Sequence, residues 1–449
     1  MAHDRAPTPA DAATHRPAAT RRTPFSDNPT VGARGLRTQQ RILDGALQAF
    51  GEGGYTGTTI GKIACAAGCS RVAVYQYFVD KDDVFRHLAG QLARQLSASL
   101  EAMGAITADA AGWTATRAWV ARRGDIHLRY EPVFRAFSAA AVGDPALVRG
   151  SVRASEQSTA LFEAKVIASP LPQRQLDAVV DLLLAMLARV FDIGAILRSE
   201  LPNEYPRDRI EDAVTDVIHR SLFGRLPGIN AKPQQRAQAP RISLGTTLPA
   251  VFEQVAALER EASGPGRKAL ASLLEVGQDV VVTRGFQGTR VDDLVEVAGV
   301  SHGAFYRYFE NKHQFVRVLA AQALLVLSTA LAEMPALSEI DPGDRRPALR
   351  AWLHRFQELN GQHAAVIRVW TEGARQDDDF QTDSASAFDW GRRQLHRWLS
   401  GSPAGDVDCD AVVMLAAVEA FGGRATDSAE LEAIVHILES SISMSDERP

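Results

Sequence analysis

The chain has 449 residues, of which 46% are hydrophobic and 23% charged, and its formal net charge is -5. That length is too great for a single hydrophobic core and predicts about two to four domains. The negative net charge excludes a uniformly basic surface, so any affinity for nucleic acid has to come from a local excess of lysine and arginine.

Cysteine content and hydropathy exclude further classes of protein. Cys65, Cys69 and Cys409 make no disulfide framework, and no nearby histidine or further cysteine completes a zinc set. We therefore expect neither a metal nor a cofactor. The first residues lack the apolar core of a signal peptide, and the most apolar run, residues 179–197, includes charged residues that exclude a membrane span. A cytoplasmic protein is expected.

Residues 1–35 are rich in proline, alanine, threonine and arginine and have almost no large apolar side chains. Such a composition cannot offset the entropy lost on ordering, so we expect a disordered tail. Its arginines leave two roles open, either a solubilising tail or an arm that enters the minor groove of DNA.

A helix-turn-helix pattern follows the tail. Apolar residues recur at helical spacing at Ile42, Leu43, Ala46, Leu47, Ala49 and Phe50, and a run of glycines ends this first helix. Thr58 and Thr59 offer hydroxyl caps to a second helix, residues 60–67. Gly68 suits the left-handed position of a tight corner, and Ser70 caps a short third helix.

The same pattern occurs a second time. Residues 67–81 and 298–312 are identical at about half their positions, without a gap, and a repeat at one fixed spacing indicates duplication. Thr289 is the expected cap of the second helix in this copy. Gly277 and Gln278 stand inside the first helix, and because an interior glycine costs about 1 kcal/mol we expect that helix to be looser than its twin.

Helical periodicity continues beyond both motifs. Helices are predicted at 84–103, 112–128, 131–141, 150–167, 173–198 and 206–223 in the first half, and at 314–334, 346–359, 361–374, 383–400, 407–421 and 428–443 in the second. No alternating run of β-branched residues predicts a strand. Residues 224–266 are rich in proline, glycine and glutamine, which favours a linker long enough for the halves to lie side by side.

Both motifs resemble the DNA-binding domain of the TetR/AcrR family of bacterial transcriptional regulators. The residues that carry the resemblance are Thr58-Thr59-Ile60, Ile63-Ala64, Ala67-Gly68-Cys69-Ser70, Tyr75-Gln76-Tyr77-Phe78 and Lys81, and again Thr289-Arg290-Val291, Leu294-Val295, Ala298-Gly299-Val300-Ser301, Tyr306-Arg307-Tyr308-Phe309 and Lys312. The resemblance implies an all-α fold of two tandem units, each a three-helix helix-turn-helix head followed by a helical bundle for ligand binding and dimerisation. The expected domains are a tail (1–35), a first head (36–83), a first regulatory domain (84–224), a linker (225–266), a second head (267–314) and a second regulatory domain (315–443).

The third helix of each head is the expected reader of DNA. Its outward residues are Arg71, Val72 and Gln76 in the first copy, with Ala73 as a further candidate, and His302, Gly303 and Arg307 in the second. Arg71 and His302 could instead be bystanders that contact no base. The resemblance implies further contacts, mainly to phosphates, from Thr58, Thr59, Ser70, Tyr75, Tyr77 and Lys81, and from Thr289, Arg290, Ser301, Tyr306, Tyr308 and Lys312. Each tyrosine could instead be a core aromatic with its hydroxyl at the rim, and both lysines could simply face solvent.

The resemblance implies a sequence-specific repressor of transcription that a small apolar effector releases from double-stranded DNA. Because the two reading sets differ, one chain is expected to read an operator with unlike half-sites. The last two helices of each half are expected to form an internal pseudo-dimer, and association of two chains remains open.

Aromatic residues that could line an effector pocket, or simply form the core, are Trp113, Trp119, Phe134, Phe137, Trp370, Phe388 and Trp390.

An enzyme and an interaction module are the two alternative classes of function. The sequence has no nucleophile elbow, phosphate-binding loop, zinc-protease or dinucleotide motif, so an enzyme is not expected. The second alternative is an interaction or ligand-binding module in which only one helix-turn-helix still contacts DNA.

Overall fold

The computed structural model describes residues 32–224, 226, 252–253, 255–258, 260, 263–336, 340–373, 378–399, 406–423 and 427–441. Within these ranges the chain contains helices and no strand, apart from one isolated bridge between Ile106 and Val166. The all-α prediction is therefore confirmed. Most of the expected tail and linker lies outside the described residues.

The helices of the two halves follow one another in the same order. The first half contains α1 (Ala33–Gly57), α2 (Ile60–Ala66), α3 (Arg71–Tyr77), α4 (Lys81–Glu101), α5 (Ala110–Ala141), α6 (Pro145–Glu163), α7 (Gln173–Glu200) and α8 (Arg207–Phe223). The second contains α9 (Pro265–Gly288), α10 (Val291–Ala298), α11 (His302–Tyr308), α12 (Lys312–Ala332), α13 (Pro342–Gly373), α14 (Asp378–Leu399), α15 (Val407–Gly422) and α16 (Ser428–Ser441). Thus α9, α10 and α11 correspond to α1, α2 and α3.

One apolar cluster holds the first head together. It includes Ile42, Phe50, Val74, Phe78 and Phe85, all of them fully buried or nearly so. Burial of a side chain of this size stabilises the fold by about 1.5–3 kcal/mol. Because the cluster joins α1, α3 and α4, it fixes which face of α3 points into the protein and which points out.

The corner between α2 and α3 forms as the sequence predicts. Gly68 has a φ of 60°, and Gly299 in the second head has a φ of 64°. A glycine adopts this left-handed conformation without steric cost. The Thr59 hydroxyl accepts a hydrogen bond from the amide of Lys62 at 3.3 Å, and Ser70 caps α3 in the same way. Both caps are confirmed.

The prediction that Thr289 caps α10 is wrong. Its hydroxyl donates instead to the carbonyl of Gly285 at 2.8 Å, as the Thr58 hydroxyl donates to the carbonyl of Gly54 at 2.6 Å. Both glycines have positive φ at a kink within the helix, and the kink leaves a backbone carbonyl that needs a donor. Arg290 occupies the N-cap position of α10.

Two helices are continuous where the sequence predicts breaks. α5 runs through Pro132, and α13 runs through Gly361. An interior proline costs about 3 kcal/mol and an interior glycine about 1 kcal/mol. In α5 tertiary packing offsets that cost, because Tyr130 and Val133 on either side of the proline are both buried in the core of the first head.

Gly277 makes room for a core side chain. An ideal Cβ at this position would lie 2.3 Å from Cζ of Phe315, which is fully buried. This glycine therefore accommodates a core side chain instead of producing the looser helix expected from the sequence. α9 is continuous through Gly277, and the aromatic ring packs directly onto its backbone.

Gly277→Ala should therefore lower the free energy of unfolding by about 1–3 kcal/mol through overpacking, although alanine is the better helix former. Gly361 is the matched control, since apart from the neighbouring backbone of its own helix no atom lies within 4 Å of an ideal Cβ there. Gly361→Ala should raise the free energy of unfolding by up to about 1 kcal/mol. Urea denaturation measures both, and equal changes of the same sign would contradict the packing argument.

The last two helices of each half pack against each other. α7 and α8 contact α15 and α16, and one apolar cluster runs through all four. Ion pairs cross the same boundary: Arg189 Nε lies 2.6 Å from Glu419, and Arg220 lies 3.1 Å from Asp410. The two halves therefore share a core.

The two heads also contact each other. Thr56 Oγ1 donates to the carbonyl of Arg284 at 3.3 Å, and Thr56 packs against Gly288. Nearby, Arg368 of α13 donates to the hydroxyl of Ser138 of α5 at 3.3 Å. These contacts set the position of one head relative to the other.

One described helix, α12, is long and apolar enough to cross a membrane by length and composition alone. Half of its apolar window is buried inside the protein, and a buried core helix passes the same test, so the finding is weak evidence for a membrane span. Among the described residues, no group of three histidine, cysteine or acidic side chains is placed to hold a metal ion.

Candidate nucleic-acid interface

α3 presents one face to the core and the other to solvent. Val74 and Phe78 are fully buried, and they anchor the helix in the first head. Arg71, Val72, Tyr75 and Gln76 are exposed, Val72 to 68% and Tyr75 to 45%. Val72 and Tyr75 therefore lie on the outward face of the helix, together with Arg71 and Gln76.

α11 repeats this arrangement with different residues. Phe305 and Phe309 anchor it in the core of the second head. His302, Gly303, Tyr306 and Arg307 are exposed, Tyr306 to 56%. The outward residues expected from the sequence are therefore on the surface in both heads, where they could reach the edges of bases.

Several residues expected at phosphates lie behind that surface. Thr58, Thr289 and Tyr77 are buried, and both threonine hydroxyls bond to the carbonyls at the kinks. Tyr308 is half-buried, with its hydroxyl close against Gly266. Three of these side chains therefore lie inside the heads, and the fourth is partly covered.

Lys81 and Lys312 each donate hydrogen bonds to backbone carbonyls within their own head. The Lys81 ammonium donates to the carbonyl of Tyr55 at 2.9 Å and lies 4.1 Å from the centroid of the Tyr55 ring. Lys312 donates to the carbonyls of Phe286 and Thr289 at 3.0 and 3.1 Å. Burial lowers the pKa of both lysines. The solvent-facing alternative is therefore wrong, because each lysine joins the start of α4 or α12 to the kink before the second helix of its head.

The exposed caps lie at the N-termini of the short helices. Thr59 precedes α2 and Ser70 precedes α3, while Arg290 and Ser301 hold the same places before α10 and α11. All four are exposed. A helix N-terminus presents unpaired amides and partial positive charge, which favours phosphate oxygens.

The two heads differ in charge beside the reading helix. Residues 60–77 contain Lys62 and Arg71 and no acidic residue, whereas residues 291–308 contain three acidic residues, Asp292, Asp293 and Glu296, and one arginine. Carboxylates repel phosphates, so α10 and α11 attract DNA less strongly than α2 and α3, although Asp293 is paired with Arg284 at 2.5 Å. Asp292 and Asp293 are adjacent in the sequence, so this difference is visible without the structure, although the predicted DNA-binding residues do not include them.

The first outward residue of the third helix also differs between the two heads in the charge of its neighbours. The Arg71 guanidinium lies over α2 at Gly61, where an ideal Cβ would be 2.7 Å from Arg71 Nη2. In the second head, the corresponding His302 has Nε2 3.5 Å from a carboxylate oxygen of Asp292. At this contact Arg71 lies against a glycine, whereas His302 lies beside a carboxylate.

A cavity lies between the halves, and five of the seven aromatic residues predicted for a pocket line it: Phe134, Phe137, Trp370, Phe388 and Trp390. The other two do not. Trp113 donates to Asp216 at 2.7 Å, and Trp119 belongs to the shared core.

Two three-helix heads, each with an exposed third helix held by a buried aromatic anchor, define a helix-turn-helix DNA-binding protein. The family model described as "Bacterial regulatory proteins, tetR family" matches residues 42–88 and 273–319. The HTH-type transcriptional repressor Rv1474c of Mycobacterium tuberculosis is 32% identical over 170 residues, which cover 36% of this chain and 88% of that protein. The chain belongs to the TetR family of bacterial transcriptional regulators and contains two of its DNA-binding units.

Other relatives match over shorter stretches. The HTH-type transcriptional repressor AcnR of Corynebacterium glutamicum is 30% identical over 114 residues, or 24% of this chain and 58% of that protein. The HTH-type transcriptional regulator AcrR of Shigella flexneri is 47% identical over 51 residues, or 11% of this chain and 24% of that protein. These alignments support a DNA-binding regulator of transcription.

Proposed function

We propose that this protein is a repressor that reads an asymmetric operator with both heads of one chain and that a small apolar effector releases it from DNA. The observation that carries the proposal is the pair of exposed reading faces, with Arg71 and Gln76 on one and His302 and Arg307 on the other. Arginine pairs with guanine and glutamine with adenine, so the two faces favour different bases.

The packing of α7 and α8 against α15 and α16 supports an intramolecular pseudo-dimer. In that arrangement one chain supplies both heads, and two unlike half-sites can be read without a second subunit. The direct contact between Thr56 and Arg284 keeps the heads close to each other.

The same helices connect the cavity to the heads, which supports release by an effector. α5 lines the cavity with Phe134 and Phe137, and its Arg135 donates to the carbonyl of Gly51 of α1 at 2.6 Å. α13 lines the cavity with Ile367 and belongs to the apolar cluster of the second head. A ligand that separates α5 from α13 would therefore change the spacing of the heads.

The acidic residues of α10 favour a second candidate function. If phosphate repulsion by Asp292 and Glu296 prevails, only the first head contacts DNA, and the second half serves as a ligand-binding or interaction module. The two candidates differ in the number of half-sites that the protein protects.

Selection from random double-stranded DNA should return two unlike half-sites, separated by about one helical turn or slightly more. A variant with His302→Arg, Gly303→Val and Arg307→Gln gives α11 the outward set of α3 and is the matched control. That variant should select two similar half-sites. A perfect palindrome selected by the wild type would contradict the asymmetric operator, and a single half-site would favour the second candidate.

A further inference from the structure

Three ion pairs join the last two helices of the two halves, and in each the arginine belongs to the first half and the carboxylate to the second. The pairs are Arg189 with Glu419 at 2.6 Å, Arg209 with Asp406 at 2.5 Å, and Arg220 with Asp410 at 3.1 Å. The arginines lie on α7 and α8, and the carboxylates lie on α15 or at its N-cap. At these three contacts the α7–α8 face and the α15–α16 face therefore carry opposite charges.

The first half lacks two of these three carboxylates at the positions related to them by duplication. Residues 176–180 of α7 and 409–413 of α15 share four of five residues at a spacing of 233 positions, which sets the register of the two helices. The counterparts in that register are Met186 for Glu419, Gln173 for Asp406 and Asp177 for Asp410. The first half therefore has a carboxylate at only one of the three positions.

The second half has no arginine at the corresponding positions. The register of α8 and α16 follows from an ion pair that occurs in both halves: Arg117 pairs with Glu211, and Arg350, 233 positions after Arg117, pairs with Glu432. Glu211 and Glu432 are therefore counterparts. The counterparts of the three arginines are Gly422 for Arg189, Glu430 for Arg209 and Ser441 for Arg220. The charge pattern of each face is therefore absent from the other half.

Two second halves from different chains could not form these ion pairs with each other. Two like halves meet about a two-fold axis, so each residue would face the counterpart of its present partner. Asp406 would face Glu430, and Asp410, whose side chain is 3% exposed, would face Ser441. A like charge across an interface and a buried charge without its partner both oppose association. Pairing of two second halves is therefore disfavoured.

Two first halves would keep only one of the three contacts. Arg220 would still face a carboxylate, that of Asp177. The other two arginines would face the uncharged Met186 and Gln173. Because an arginine that is removed from water without a counter-charge opposes association, each face fits the unlike face better than a copy of itself.

We propose that these ion pairs make the α7–α8 face and the α15–α16 face specific for each other, so that the partner of each half is an unlike half and not a second copy of itself. The same chain supplies that partner, because the covalent connection between α8 and α9 raises the effective concentration of one face at the other. One chain then occupies one operator. That consequence rests on the proposed function, whereas the pairing of unlike halves does not.

The test co-produces two full-length chains that carry different affinity tags. One chain has Arg189→Glu with Arg209→Asp, and the other has Glu419→Arg with Asp406→Arg. Each chain then has like charges at two of its own contacts. Together the chains can exchange halves and form one wild-type and one reversed set of ion pairs. The third pair, which is the most deeply buried, stays unchanged.

Purification over both tags, followed by light scattering, should yield a dimer of the two variants. Wild-type chains that carry the two tags should not co-purify and should have the mass of one chain. Either variant co-produced with itself should give no dimer. The proposal would be overturned if the two variants failed to co-purify, if a variant paired with itself as readily, or if the wild type had the mass of two chains.

The matched control reverses ion pairs that lie within one half. Arg86 pairs with Asp144 at 3.1 Å in the first half, and Arg355 pairs with Glu333 at 3.4 Å in the second. Asp144 caps α6 as Asp406 caps α15, so the loss of a helix cap is matched. One control chain has Arg86→Asp with Arg355→Glu, and the other has Asp144→Arg with Glu333→Arg. An exchange of halves restores neither pair, so these chains should not co-purify, and co-purification equal to that of the interface variants would contradict the role of the interface charges.

A single chain with all four interface substitutions covers the case in which one variant does not fold. Opposite charges are restored at both contacts, so this chain should have the mass of one chain. Its midpoint of urea denaturation should lie above the midpoints of both two-residue variants. A midpoint no higher than theirs would overturn the proposal.

Light scattering of the wild-type chain on its selected operator separates this inference from the proposed function. One chain per operator supports both. If two chains occupy the operator while the interface variants still co-purify, the reading of one operator by a single chain is contradicted and the pairing of unlike halves stands.

Discussion

Replacing Arg71 and Gln76 together with alanine should weaken binding to the selected operator by roughly 30-fold to 10⁴-fold. Each bidentate contact to a base discriminates by about 1–3 kcal/mol, and both side chains are exposed on the outward face of α3. The change should leave stability unaltered, because neither side chain belongs to the core of the first head. Fluorescence anisotropy with labelled operator DNA measures the affinity, and circular dichroism checks the fold.

The matched control is Arg153→Ala with Gln157→Ala, which removes the same residue types from an exposed face of α6. It should leave operator affinity within about twofold of the wild type, since surface substitutions away from special features have small effects. If the control weakens binding as much as the change in α3, the loss reflects overall charge and not base reading.

The corresponding change in the second head, His302→Ala with Arg307→Ala, should have a smaller effect of about tenfold. Asp292 beside His302 and the exposed Glu296 already weaken the attraction of this head to phosphates. A loss of operator affinity in both variants would support two heads that each contact DNA bases. An unchanged affinity in the second variant would contradict the asymmetric operator and favour a module with one DNA-binding head.

Arg220→Met should destabilise the contact between the halves by about 3 kcal/mol at pH 8. Arg220 and Asp410 form an ion pair between α8 and α15, and both side chains are almost completely buried. Removing one member leaves the other charge without a partner in a medium that solvates it poorly. The double variant Arg220→Met with Asp410→Leu removes both charges, and its stability should return to within about 1 kcal/mol of the wild type.

The loss of unfolding free energy in Arg220→Met, relative to the wild type, should become smaller as the pH falls from 8 to 5. Burial, with a smaller contribution from the nearby Asp216, raises the pKa of Asp410 from 3.8 to about 6 despite the opposing effect of Arg220. A carboxyl with a raised pKa in the folded state takes up its proton there before it does so in the unfolded chain, so a lower pH favours folding. Without Arg220 the pKa rises more, and protonation of Asp410 then relieves the penalty.

Urea denaturation at pH 8, 7 and 5 measures this dependence. The loss of unfolding free energy in Arg220→Met could be the same at all three pH values. In that case the destabilisation is caused by the lost packing of the arginine stem and not by the unpaired carboxylate. A double variant no more stable than the single one would lead to the same conclusion.

Local sequence patterns are enough to predict the all-α class, the duplication, the two corners and the outward face of the third helix in each head. These features depend on neighbours within a few positions: a glycine that adopts positive φ, a hydroxyl that caps the next turn, and apolar residues at helical spacing. The charge difference between the heads was equally available, because Asp292 and Asp293 are adjacent in the sequence.

Tertiary packing determines which polar residues are buried and how the two halves form a shared core and a cavity. Lys81 reaches a carbonyl 26 residues away, and Arg220 meets Asp410 across 190 residues. α5 continues through Pro132 because distant side chains bury its flanks, and the cavity exists only where the halves join. Contacts between residues so far apart leave no periodic signal in the chain, since their partners are set by packing and not by local spacing.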